Sequence, residues 1–95
     1  MIIIQGQTAI VSATLGRSIA GYTTAVINLK RPTGTIVPTT ATVTTESTGA
    51  ITATIAASVF STVGLWSVWA VVTMAGGEVI KTFAEALEVK QEGVL

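Results

Sequence analysis

Cysteine, histidine and aspartate are all missing from this 95-residue chain. Without cysteine there is no disulfide staple and no thiolate metal site. Small secreted domains more often carry disulfides, so the absence leans towards assembly in a reducing cytoplasm. Without histidine no imidazole-based triad forms. Glutamate is then the sole common metal ligand left, which argues against a zinc or copper centre. Charge is scarce as well: five basic and five acidic residues give a net charge of zero, and charged residues make up only 11% of the chain. Such a balance exerts no long-range pull on nucleic acid or an anionic membrane. Long hydrophobic runs are also lacking. The most apolar stretch, Val63 to Ala75, is interrupted by Gly64, Ser67 and Thr73 and falls short of the ~20 residues of a spanning helix. The opening Met1-Ile2-Ile3-Ile4-Gln5-Gly6 has no basic flank and no long apolar core, so it reads as a first strand rather than a signal peptide.

What is present is threonine, valine and isoleucine, residues that suit a pleated, half-buried surface. Between glycine and proline punctuation the apolar positions recur with period two. Tyr22 to Lys30 sets Ala25, Ile27 and Leu29 against Thr24, Val26 and Asn28. Thr39 to Thr45 sets Ala41 and Val43 against threonines, and Ala50 to Ile55 sets Ile51, Ala53 and Ile55 against Thr52 and Thr54. Turns are expected at Arg31-Pro32-Thr33-Gly34, at Glu46-Ser47-Thr48-Gly49 and at Ala75-Gly76-Gly77. Ala56 to Val63 does not alternate; Ser58 is placed to cap one helical turn, with Val59 and Phe60 plugging the end of the core. Leu65 to Met74 is the longest strand, and Glu78 to Lys90 returns as another, bent near Phe83-Ala84. Strands at this spacing, with no amphipathic helix, predict a single all-β domain over residues 1–95. Its architecture is an antiparallel sandwich of about seven strands. A chain of this length hides roughly 60–65% of its unfolded surface, enough for a thin core.

Catalytic chemistry finds little footing. The glutamates do not form a convincing acid–base pair, and no serine lies in a nucleophile elbow. Gly76-Gly77 lacks the lysine-serine pair and following helix of a phosphate loop, so it reads as a hairpin. Lys30-Arg31, the one basic pair, reads as a solvated turn flank rather than a nucleic-acid contact. Neither an enzyme, a cofactor nor a small-molecule substrate is expected. Glu85 is an anomaly: it shares strand phase with Leu87 and Val89, yet a lone buried carboxylate is expensive. A bulge near Ala84, a place at the sheet margin, or a partner such as Lys81 or a neighbouring subunit would each resolve it.

The strand from Leu65 to Met74 is apolar on both faces, and each face carries a tryptophan. Trp66, Val68, Ala70, Val72 and Met74 are assigned to the core. Leu65, Trp69 and Val71 then stand on the outside, where tryptophan is a favoured interface anchor. The alternative is that the chain's own loops or amino-terminal segment cover that face. The hydrophobic start Ile2, Ile3 and Ile4 is a second candidate contact, by face packing or strand addition. The candidate protein interface is therefore Ile2, Ile3, Ile4, Leu65, Trp69 and Val71. Only 11% charge beside 49% hydrophobic residues fits either threonine as the outward polar residue or a surface covered by neighbours.

In order, Gly21-Tyr22 to Gly34-Thr35, Ala41-Thr42-Val43-Thr44, Thr48-Gly49-Ala50-Ile51-Thr52, Val63-Gly64-Leu65-Trp66, Gly76-Gly77-Glu78-Val79-Ile80 and Leu87-Glu88-Val89 resemble a family. It is that of the small Ig-like domains of phage tails, such as the amino-terminal domain of upper baseplate proteins. The resemblance runs from about Gly6 to Lys90. It implies an Ig-like sandwich with a docking role and no catalytic residue to carry over. Two features depart from the pattern: the upper baseplate proteins continue into long further regions, and Glu85 stands where they carry an apolar residue. The expectation is a structural protein of a tailed-phage virion, assembled in the bacterial cytoplasm. It would sit in the tail, baseplate or fibre adaptor and touch other virion proteins and copies of itself. Capsid decoration or a head-to-tail junction is the alternative within this class. A carbohydrate-binding or adhesion module using Trp69 as a sugar platform is the alternative from another.

Overall fold

Glycine-marked turns cut the chain into strands, and the strands sort into two sheets. A computed structural model describes residues 2–82 and 84–93. Among these the strands are β1 (Ile2–Ile4), β2 (Ala9–Thr14), β3 (Tyr22–Lys30), β4 (Ile36–Thr40), β5 (Thr42–Thr45), β6 (Ala50–Ile55), β7 (Gly64–Met74), β8 (Val79–Lys81) and β9 (Glu85–Lys90). One sheet runs β1-β9-β7-β3-β4, with β8 also paired to β7; the other runs β2-β6-β5. The result is an all-β, Ig-like sandwich. Every pairing is antiparallel except β1 with β9, which are parallel.

The expected turns form where the glycines allow them. Arg31 N–H donates to Thr35 O, and Gly34, at φ +99°, closes the β3–β4 hairpin. Met74 N–H donates to Glu78 O around Gly77, at φ +90°, to join β7 to β8. Strands β8 and β9 are two halves of the return from this hairpin, both laid against β7. The expected bend at Phe83-Ala84 falls between them, and Phe83 itself lies outside the described residues.

Three expectations need correction. Thr39 to Thr45 is not one strand: the chain switches sheets at Ala41, leaving β4 against β3 and β5 against β6. Alternation looks the same on either side of such a corner, so periodicity does not reveal it. Ser58 caps nothing; it lies inside a 3₁₀ turn over Ala57–Val59 that begins at Ala56 without a side-chain cap. More strands are present than the expected seven or so, because β2 and the split of the last strand were not anticipated.

The core fills the space between the sheets. Ala25, Ile27 and Leu29 of β3, Trp66, Ala70 and Val72 of β7, and Leu87 and Val89 of β9 face Val11 of β2 and Ile51, Ala53 and Ile55 of β6. Ile19 and Phe60 close the ends, both completely buried. Phe60 packs tilted against Trp66 at 5.5 Å, and Trp66 donates its indole N–H to Thr62 O at 2.9 Å. Among the described residues no polar or charged residue is buried. Hydrophobic burial is thus the main favourable term, at about 25 cal/mol per Å² of apolar surface.

Candidate interaction surface

Strand β7 places the outer face of the larger sheet. Its register is continuous with β3 through Asn28↔Trp69 and Val26↔Val71, and with β9 through Leu65↔Glu88 and Ser67↔Ala86. Because side chains alternate across a strand, Trp66 buried at 1% exposure forces Trp69 to the opposite side. Trp69 is half-buried there, flanked along the strand by Ser67 and Val71 and across it by Asn28. Pairing carries the same face outwards to Pro38 and Ile36 on β4, and to Val79 and Lys81 on β8.

The candidate residues separate cleanly. Ile2 pairs with Glu88, which pairs with Leu65, so the two aliphatic side chains flank one carboxylate on the outer face. Both are open to solvent, Ile2 at 61% and Leu65 at 65% exposure. Ile4 lies beside Lys90, and the Lys90 Nζ meets Glu88 Oε1 at 3.5 Å, so a surface ion pair sits within the apolar patch. Val71 is half-buried beside Val26. Ile3 is corrected: it is buried at 5% exposure and belongs to the core. Alternation within a three-residue strand allows only Ile2 and Ile4 to face outwards.

Two other positions also resolve. Glu85 pairs with Val68 in unbroken register and keeps the phase of Leu87 and Val89, yet it is exposed. It stands at the sheet margin, beyond the reach of the smaller sheet. Arg31 is not a solvated turn flank. It is half-buried, its guanidinium 5.7 Å from the Trp66 ring centroid and donating to Val59 O at 3.4 Å. The cation therefore lids the Phe60–Trp66 end of the core. The sequence carries a hint of this, since Arg31 directly follows the strand that ends on Leu29.

Among the described residues no group of three or more metal-binding side chains comes together. Among these residues, too, no helix is long and apolar enough to cross a membrane. What the site offers chemically is apolar area with a few polar groups, the composition of a protein-binding surface. No protein-family model matches the chain, and no curated protein matches it either.

Proposed function

We propose that the chain is a non-catalytic structural protein of a tailed-phage particle, held to its neighbours through the outer face of the larger sheet. The observation that carries this reading is the pair of apolar groups on the face against which the smaller sheet does not pack, Ile2, Ile4 and Leu65 beside Glu88 at one end and Trp69, Val71 and Val79 along β7 and β8. Exposed apolar groups rimmed by polar residues in this way suit an association site. A half-buried tryptophan with Val71 beside it is suited to anchor one. The order of strand and turn motifs supports the phage setting, with a tail or baseplate position preferred over the head.

Electron microscopy of purified particles tests the setting, since density for this sandwich in the tail or baseplate is the expected result. Density on the capsid would move the protein to the decoration class, and its absence from particles would sink the proposal. The surface itself is tested by Leu65→Ser with Trp69→Ser. The pair should abolish incorporation into particles while the isolated domain stays folded. Glycan binding lost on Trp69→Ala would instead favour the adhesion reading, for which Asn28 is the one amide beside the ring.

A further inference from the structure

Among the described residues five strands are paired on one side only, β1, β4 and β8 in the larger sheet and β2 and β5 in the smaller, and four of these edges are blunted. On β4 the hydrogen bonds Ala41 N–H to Ala25 O and Arg31 N–H to Thr35 O fix the ladder's parity. Positions 36, 38 and 40 therefore turn their main chain outwards. Pro38 stands there with no N–H to offer, a recognised block on strand addition. Strand β5 has four residues and a register shift between Val43 and Thr45. Strands β1 and β8 have only three residues each. Strand β2 has none of these defences: it runs six residues, Ala-Ile-Val-Ser-Ala-Thr, in unbroken register with no proline and no charge.

The parity of β2 is fixed by the bond from Leu15 N–H to Gly49 O at 3.0 Å, one step beyond the Thr14↔Ala50 pair. Alternation then aims the main-chain N–H and C=O groups of Ile10, Ser12 and Thr14 away from β6. Among the described residues they have no other main-chain partner. In an Ig-like sandwich a fourth strand normally lies outside this one. Here the first strand is paired with β9 in the other sheet instead, and the smaller sheet stops at β2. Beside the free edge opens a cleft of about 370 Å³, lined among others by Ala13, Ile27, Val68, Ala70 and Leu87, with Glu85 also on its wall.

We infer that the free edge of β2 receives an extended segment of a different protein, one carrying a lysine or arginine where it passes Glu85. The open ladder supplies the main-chain bonds of strand addition, and the cleft takes the alternate, aliphatic side chains. Glu85 selects the partner. It points to the inter-sheet side and has no ion-pair partner among the described residues. A strand laid over it without a cation would strand a lone carboxylate. An inward-pointing charge at a sheet margin is also a known guard against indiscriminate pairing. Among this chain's own edge strands, β1, β2, β4 and β5 contain no lysine or arginine, and β8, which carries Lys81, is only three residues long. A second copy therefore offers no edge that both runs the length of β2 and brings a cation to Glu85.

Amide hydrogen exchange on the isotope-labelled chain tests this. In the protein alone, the amides of Ile10, Ser12 and Thr14 should exchange fast while those of Val11 and Ala13 are protected. The probes are capped octapeptides of alternating threonine and valine with one lysine walked along them, and the matching glutamate set. At least one lysine peptide should slow the three outward amides by about tenfold or more, and no glutamate peptide should. Glu85→Lys should reverse that preference. Ser12→Pro, which removes an outward donor and leaves the β6 ladder intact, should abolish the protection; if that variant fails to fold, Glu85→Lys decides. Equal protection by both sets, or by neither, overturns the inference. So does protection that rises with protein concentration alone, because the occupant would then be a second copy.

Discussion

Trp66 and Trp69 are three residues apart on the same strand and live in different worlds. Trp66 is 1% exposed, hydrogen-bonded through its indole, packed on Phe60 and covered by Arg31. Trp69 lies half-buried on an open sheet face between Asn28, Ser67 and Val71. Identical side chains thus serve opposite ends, and the parity of one strand decides which is which. The lesson concerns surplus: a strand needs one apolar face to fold, so a second one is free for something else.

The sharpest way to break this contrast is to remove each ring in turn. Trp66→Ala should cost about 3–5 kcal/mol, the range for truncating a buried aromatic, read as a collapse of the denaturation midpoint. Gly49 probes the tightly packed interior from the opposite direction, by overfilling it instead of emptying it. It is buried at φ +74°, and a Cβ there would come within 2.7 Å of Arg17 O and 2.8 Å of the Leu15 Cβ. Gly49→Ala should therefore destabilise by about 2–3 kcal/mol, through left-handed strain and overpacking together. Trp69→Ala should cost about 1 kcal/mol, because only cross-strand packing is lost. Thermal unfolding of the monomer checks it; a loss as large as that of Trp66→Ala would erase the distinction between the faces. Smallest of all, Glu88→Gln breaks the exposed pair with Lys90 and should change stability by less than about 0.5 kcal/mol. A larger loss in a chemical denaturation curve would mean that the outer face is less open than its exposure indicates.

Much of the fold is legible because its signals are local. Gly34, Gly49 and Gly77 sit in turns at positive φ, and Ala25, Ile27, Leu29, Ile51, Ala53 and Ile55 follow period two into the core. The assignment of Trp66 inwards and Trp69 outwards needs nothing beyond counting from Gly64. Strand β2 escapes the same reasoning because its polarity is inverted. Its largest residue, Ile10, is 67% exposed while the small Ala9 and Ala13 face inwards, so the alternation carries little hydrophobic contrast. The sheet switch at Ala41 and the stacking of Arg31 on Trp66 depend on contacts distant in sequence, which no local pattern encodes. For the candidate surface, the stretch Ile2-Ile3-Ile4 was readable as apolar but not divisible until its register with β9 set Ile3 inwards. Glu85 was readable as misplaced; the short reach of the smaller sheet explains why it is tolerated.

The parallel alignment of β1 with β9 has a mechanical consequence. Adjacent strands running the same way place the start of β1 and the end of β9 at opposite ends of that pair. Tension applied between Ile2 and Lys90 then acts along the strands and shears their bonds together, where a hairpin would unzip one rung at a time.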